Sequence, residues 1–498
     1  LLNFNEQDLF DGLSIKGTIG QSFQDLKSNI DATYGEGFLD PNFVSVNNTS
    51  IRNARNTISQ RRLVSFFSSA TLNWKDYFKD QNLVDLIDVA LKNNQELNIT
   101  LQEIEIAKND IRVKKGLLLP TVGVRAGAGV EKVGRYTSQG AGDANTDIKP
   151  GVKTPDPLGD FTISAYANWE VDIWKKLRNS KKAALNRYLA TVEGKNFVIT
   201  NLIAEVADSY YELLALDTQL DIVKQTIKLQ TNALEIVKIQ KQAARATELG
   251  VKKFEAEVLT SKSMEFGILQ QIKETENKIN FLLGRYPQEI KRTNTNNFLS
   301  LLPAVVTSGI PSQLLANRPD VKQAELELVA SKLDVKVARA EFYPSLDISA
   351  AIGVQAFKPS YLLTFPESLL YSLAGDLAAP LINRNAIKAE FASANARQLQ
   401  ALYNYDRTIL NAYLEVSNQL SKIENLQKGY DLKSQQVDAL NTSIDVSNDL
   451  FKSARVDYFE VLMTQRDALE AKLELVDTKK EQLNAAVHVY RDLGGGWK

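Results

Sequence analysis

Along residues 385–493 apolar side chains return at steps of three and four: Tyr413, Val416, Leu420, Ile423, Leu426 and Tyr430, then Val437, Leu440, Ile444 and Phe451. Polar residues fill the positions between, which predicts narrow apolar stripes on otherwise wet helices. The stretch has no proline and one glycine, Gly429, residues that cost about 3 and about 1 kcal/mol inside a helix. Roughly 70 residues of helix before a break at 454–458 would reach on the order of 100 Å. That length suits a device crossing a wide aqueous space better than a globule. Residues 175–283 repeat the pattern through Val206, Tyr210, Leu213, Leu220, Val223, Ile227 and Leu234. The natural reversal there is 247–251, with Gly250 matching the cap glycine of a helix end.

A shorter helix is predicted first, carrying Leu83, Leu86, Ile87, Ala90, Leu91 and Leu97 on one face and running unbroken to about Lys115. Pro120 stops it, and the period changes to two. Val122, Val124, Ala126, Ala128 and Val130 alternate with Gly123, Arg125, Gly127, Gly129 and Glu131. After a loop rich in Gly, Asp, Pro and Thr, the strand pattern resumes with Ile163, Ala165, Ala167 and Trp169 on one face. Residues 1–73 are polar without a sustained period and read as an irregular arm, wrapped over the body.

The whole pattern then repeats. Pro344 laid over Pro120 aligns 311–354 with 87–130 without a gap, and residues 291–310 form a linker. Leu346, Ile348, Ala350, Ile352 and Val354 alternate with Ser345, Asp347, Ser349 and Gly353. Tyr371, Leu373 and Leu377 alternate with Ser372, Ala374 and Asp376. Val456–Glu460 is set over Val251–Glu255, and Leu493-Gly494 over Leu283-Gly284. Each half is helix, strand pair, long helical hairpin: a duplication, with halves at 74–290 and 311–498.

Strands are expected at about 120–136, 160–172, 344–357 and 370–382, and long helices at about 175–284 and 385–493. Four strands apolar on one face cannot stand open in lipid, where each unpaired backbone group costs several kcal/mol. Closure through copies of the chain is the expectation. Two copies would give a barrel filled by its own side chains, three a barrel with room for a channel. Small and polar inward residues (Gly123, Gly127, Gly129, Ser345, Ser349) suit an open lumen. A water-soluble sandwich with one solvated face is the competing reading. Tyr136, Phe161, Trp174, Phe342, Tyr343, Phe357 and Tyr371 gather near strand ends, as an interfacial girdle or ordinary strand-end aromatics would.

Composition narrows the function. The 59 basic and 60 acidic residues give net charge −1 with no basic block for nucleic acid. Absence of cysteine removes disulfides, thiolate metal sites and cysteine nucleophiles, and fits an oxidising compartment. No run of about 18 apolar residues predicts a membrane helix, so any crossing is made by strands. No catalytic constellation, phosphate loop, cofactor or metal site is expected. His488, the one histidine, is expected to meet a helix dipole or solvent instead of a metal.

The chain resembles the TolC-like outer-membrane factors of tripartite efflux pumps, closest to the OprM-type branch. The resemblance is carried by residues 74–80 with Leu86-Ile87 and Ala90-Leu91, and by Trp169-Glu170-Val171-Asp172 with Trp174 and Leu177-Arg178. Further on it rests on Arg318-Pro319-Asp320-Val321, Ala338-Arg339-Ala340, Val456-Asp457-Tyr458-Phe459 and Leu493-Gly494-Gly495-Gly496-Trp497. It implies a mainly α fold with a transmembrane β-barrel: a homotrimer forming a twelve-stranded barrel continued by a periplasmic α-helical barrel, with an equatorial collar. It implies a passive exit duct in the outer membrane of a Gram-negative bacterium, extending into the periplasm and served by a periplasmic adaptor and an inner-membrane pump. OprM-type members carry an acylated N-terminal cysteine; an anchor is expected upstream of Leu1 or already removed. The N-terminal arm is longer than the family pattern.

By the same resemblance Asp457 belongs to the periplasmic constriction, with Arg455 and Tyr458 beside it. Three copies of Asp457 around an axis would make an acidic ring favouring cations. Its alternative role is a capping box with Glu460 at a helix start. Arg455 stands where the family usually has glycine and is expected to pair with Asp457 of a neighbouring copy. Adaptor-contacting tips are expected at Gly250, Val251, Lys252, Lys253, Ala454 and Val456, and lumen-facing barrel charges at Arg125, Glu131, Asp347 and Asp376. The expected function is export of drugs or toxic small molecules. Type I protein secretion or metal export is the alternative within the family, and a non-conducting helical spacer or adhesin the alternative outside it.

Overall fold

The computed structural model describes residues 2–10, 13–38, 49–68, 74–293, 295–301, 317–381, 384–453 and 455–495. They fall into two units, the first holding the residues up to Lys79 and the second running from Asp80. In the first, β1 (Leu2–Phe10), β2 (Leu13–Phe38) and β3 (Thr49–Ser68) form an antiparallel sheet in that order. β2 and β3 keep one register, from Ile19 opposite Ser68 to Phe38 opposite Thr49. The arm expected to be irregular is therefore mostly strand. A backbone ladder satisfies its own N–H and C=O groups whatever the side chains are, so it needs no sustained apolar period. A single helical turn, α1 (Trp74–Tyr77), follows.

The second unit opens with α2 (Gln81–Asn93) and α3 (Gln95–Gly116). One continuous helix was expected; Asn94 breaks it. Its Oδ1 accepts from Leu97 N (3.0 Å), capping α3, and its Nδ2 donates to Leu282 O (2.9 Å). β4 (Thr121–Glu131) and β7 (Leu158–Glu170) pair antiparallel. Between them lie α4 (Ser138–Asp143) and a ribbon of β5 (Asp147–Lys149) and β6 (Val152–Lys153). α5 (Lys176–Gln242) and α6 (Glu248–Leu282) make the first hairpin. The second half runs α7 (Pro319–Ala340), β8 (Ser345–Ala356), β9 (Leu369–Ala378), α8 (Asn385–Lys452) and α9 (Tyr458–Asp492).

Asp172 shows how the chain passes from sheet to long helix. Lys175, before the helix, adopts a left-handed conformation (φ 62°) and makes no cap of its own. The Asp172 carboxylate instead accepts from Leu177 N (2.9 Å) and Arg178 N (3.0 Å), satisfying two of the free donors at the start of α5. The Trp174 indole donates to Pro344 O (2.8 Å) and stacks on Tyr343, tying the first half's turn to the second's.

β4, β7, β8 and β9 form one four-stranded antiparallel sheet in that order. Its register brings Val124, Ala165, Ile352 and Tyr371 into one row, and Val122, Ala167, Ala350 and Leu373 into another. The intervening rows hold Gly123, Tyr166, Ala351 and Ser372, or Thr121, Asn168, Ser349 and Ala374. Residues opposite one another share a face, so the two faces expected from alternation hold through all four strands. The apolar face is bare: Val124 and Leu373 are each 79% exposed. Among the described residues from Asp80 onward no second sheet covers it.

α5 is the central element, packed against α2, α3, α6, α7 and α9. Ile203, Val206, Tyr210 and Leu213 on it are fully buried. The Tyr210 hydroxyl donates to Asp80 Oδ2 (2.6 Å), which also accepts from Thr293 Oγ1 (2.8 Å). α8 packs mainly on α7 and α9 and keeps Tyr403, Leu410, Tyr413 and Leu414 exposed.

A candidate gate at the hairpin tips

The two hairpins are copies in length as well as pattern. α6 and α9 both have 35 residues, and their starts (Glu248, Tyr458) and closing glycines (Gly284, Gly494) share a separation of 210. Both glycines are left-handed (φ 64° and 79°), lying against the carbonyls of Asn93 and Asn317 where a Cβ would collide. This corrects the expected tip alignment: Val456–Glu460 lies over residues 246–250, five positions earlier than Val251–Glu255. Residue-type similarity had pulled the short tip out of the frame that the helix lengths impose.

The first tip turns at Ala243–Ala246, where Ala244 is left-handed (φ 56°). Thr247 is the N-cap of α6, accepting from Gly250 N at 3.2 Å. Gly250 therefore begins the second helix and is not a C-cap. Its need for glycine comes from packing: an added Cβ would sit 3.3 Å from the Tyr458 ring. Four charges of this tip pair with one another, while Arg245, which lies over Arg455 in this frame, is exposed and has no ion pair among the described residues. Lys241 pairs with Glu248, and Lys252 with Glu255 at 2.8 Å. Hydrogen bonds from these lysines hold both carboxyls below the usual carboxylate range.

The second tip differs. Asp457 stands at the N-cap of α9, the place a capping box requires, yet its side chain makes no capping bond. Only its carbonyl is engaged, by Glu460 N at 3.2 Å. Asp457 and Arg455 are both exposed, and among the described residues neither has an ion-pair partner within the chain. Ala454 lies outside the described residues. Val456 is half-buried.

The tips meet through an apolar cluster of Leu234, Val237, Val251, Phe254, Val258 and Leu462, with Phe451 and Tyr458 packed on it. Lys253 Nζ lies 4.8 Å from the centre of the Phe459 ring, a cation–π contact between the hairpins. Of the four first-tip residues expected to face a partner, Gly250 and Val251 are buried in this joint, while Lys252 and Lys253 remain exposed. Phe254, Leu462 and Thr247 were not singled out from sequence as gate residues. The i, i+3, i+7 spacing of Val251, Phe254 and Val258 carried the signal for Phe254.

Charges expected in the barrel are all exposed on the polar face. Arg125 opposes Ser164, Glu131 opposes Leu158, and Asp347 directly opposes Asp376, with Glu170 completing the row. His488, about one turn from the end of α9, is not left to solvent: its Nε2 lies 2.7 Å from Asp208 Oδ2 on α5. Among the described residues no group of three or more His, Cys, Asp or Glu side chains could hold a metal ion, and no helix is long and apolar enough to cross a membrane.

A sheet with one bare apolar face thus continues into helical hairpins that meet at a charged tip. The family model for outer membrane efflux proteins matches residues 86–285 and 310–495, and the chain belongs to that family. It is a protein of the Gram-negative outer membrane that extends into the periplasm. The chain is 28% identical over 426 residues to the pyoverdine export outer membrane protein OpmQ of Pseudomonas aeruginosa, covering 85% of this chain and 87% of that one. It is 26% identical to the solvent efflux pump outer membrane protein SrpC of Pseudomonas putida, with the same coverage. It is 25% identical to the cation efflux system protein CusC of Escherichia coli, covering 89% and 92%. A crystal structure of CusC superposes with a TM-score of 0.77 at 24% identity, covering 86% of this chain and 95% of that one, and shares its fold.

Proposed function

We propose that three copies of the chain close into a channel that conducts small molecules passively from periplasm to exterior. The observation that carries the reading is the open sheet. Its outer strands β4 and β9 have no partner along their free edges among the described residues, and its apolar face is uncovered. β4 and β9 run in opposite directions, so β9 of one copy can pair antiparallel with β4 of the next. Such a head-to-tail joint uses two different edges and closes as a ring. The helical layer ends at the same two sides: α3 leaves Ile99, Ile106 and Val113 exposed, and α8 leaves Tyr403 and Leu410. Glycine and serine on the polar face favour three copies with an open lumen over two with a filled one.

At the periplasmic end, Asp457 carboxylates free of any cap would converge as a ring, with Arg455 available to a neighbouring copy. Lys252, Lys253 and Val456 would meet a periplasmic adaptor, which links the duct to an inner-membrane pump. Arg125, Glu131, Asp347 and Asp376 would tune passage through the barrel. Drugs and toxic small molecules are the proposed cargo; the cargoes in the relatives' names (pyoverdine, solvents, cations) differ so widely that the pump, not the duct, would set it. Reconstitution in a planar bilayer tests the reading. Conductance that rises when Asp457 and Arg455 are both replaced by alanine is expected. A cross-linked monomer band and no conductance in either form would overturn it.

A further inference from the structure

The two ends of the hairpins farthest from the tips are built alike in backbone and unlike in charge. In the first copy the neutral side chain of Asn94 donates to Leu282 O, closing the end of α6. In the second copy the matching donor is Arg318, whose Nη1 donates to Asp492 O at 3.1 Å. The Arg318 side chain is 7% exposed and pairs with Asp320 (2.7 Å) and Glu415 (2.8 Å). Leu282 of the first copy is replaced by Asp492, whose carboxylate is 1% exposed and held on one oxygen by Arg491 at 2.8 Å. Its other oxygen, Oδ2, is buried with no hydrogen-bond partner. A cavity of about 180 Å³ lies against these groups. α7 and its cap bring Arg318 and Asp320 to it, α8 brings Glu415, and α9 brings Arg491 and Asp492. α5 lines it only with the uncharged Phe197, Thr200 and Asn201.

In the first copy the uncharged Leu282 stands in the place of Asp492 and the end of α6 closes on the neutral Asn94, while the charges near it, Arg292 with Asp217 and Glu276, are all paired. The buried carboxylate of the second copy is therefore surplus to the fold, and a surplus buried charge calls for another explanation. We propose that the joint at the end of α9 is a proton-operated latch, in which Asp492 takes up a proton inside the cavity and tightens the anchoring of α9 on α7 and α8. The corresponding joint of α6 is silent.

The direction follows from the surroundings. Burial pushes the Asp492 carboxyl up and outweighs Arg491 and Arg318, which act against it, while the facing Glu415 carboxylate adds to the rise. A carboxyl raised in the folded state contributes stability that is full below its unfolded value, about 4, and lost as pH rises through its folded value. The latch tightens as pH falls and loosens as pH rises through the folded value.

The two copies provide their own control in one measurement. In the full-length protein in lipid nanodiscs, amide hydrogen exchange is followed at residues 486–493 and 276–283 between pH 8 and pH 5, corrected for intrinsic rates. Protection at 486–493 should rise several-fold relative to 276–283 as pH falls, and Asp492→Asn should hold that ratio constant near its acid value. A ratio independent of pH in the wild type overturns the proposal, as does a pH dependence that persists in Asp492→Asn. Should Asp492→Asn not fold, Glu415→Gln decides: removing the facing negative charge must move the midpoint to lower pH, and an unmoved midpoint counts against the latch. The readout does not depend on conduction, so its outcome is separate from that of the channel reading.

Discussion

The α5–α6 and α8–α9 hairpins are two copies of one design, and they differ in what they do with charge. The first pairs most of its tip charges: Thr247 caps the helix, Lys241 holds Glu248 and Lys252 holds Glu255, with Arg245 left exposed. At its other end a neutral asparagine closes α6. The second leaves Asp457 unengaged at its tip, and at its end it buries an Asp492 oxygen that has no partner, where the first pairs Arg292 with Asp217 and Glu276. Burial follows the same division. α5 is enclosed on most sides, whereas α8 has few buried side chains. One copy buries most of its long helix within the chain; the other leaves much of its own exposed.

The largest test of this contrast compares the two far ends. Arg318→Ala removes the partner of several carboxylates and should cost about 3–5 kcal/mol, as expected when a buried pair loses one member. Asn94→Ala, which removes a neutral cap, should cost about 1 kcal/mol. Thermal unfolding of the two variants side by side checks this, and equal losses would erase the distinction. Next in size, Phe254→Ala empties the fully buried centre of the joint between the tips and should lose about 3 kcal/mol locally. Limited proteolysis at 243–247 should then accelerate strongly, with little change elsewhere.

A smaller effect is expected from Gly250→Val, which places side-chain atoms against the Tyr458 ring. It should displace that ring and raise single-channel conductance, while Gly267→Val, a position with nothing within 4 Å of an added Cβ, serves as the control. At the caps themselves, Thr247→Ala should cost about 1 kcal/mol. Asp457→Asn should leave the melting temperature unmoved and reduce cation selectivity. A melting loss as large as that of Thr247→Ala would mean that Asp457 is a cap after all. The smallest change belongs to Lys253→Gln, which loses a surface cation–π contact of about 0.5 kcal/mol and should show only as a faster proteolysis rate at the tips.

Much of this architecture was legible before any coordinates. Period two located the strands with ends within a few residues, because alternation is imposed by the pleat itself. The proline-free stripes located both long hairpins, because helix length needs only an uninterrupted period and no breakers. Where a helix is interrupted by a side chain that satisfies the backbone, as at Asn94, the period continues across the break and conceals it. The site was less legible. Gly250 reads as a cap glycine, and only the Tyr458 ring beside it shows why it is small. His488 meets a carboxylate 280 residues earlier in the chain, a pairing no local pattern encodes.

The sequence alone determined the repeat, the two faces of the strands and the great length of the helices, since each is a periodicity within one segment. The tertiary structure decided the frame in which the two tips correspond, the free state of the Asp457 carboxylate and the buried charge around Asp492. Those are settled by which distant side chains come within a few ångströms of each other. Proximity of that kind is a property of helix packing, and the order of residues along one helix does not contain it.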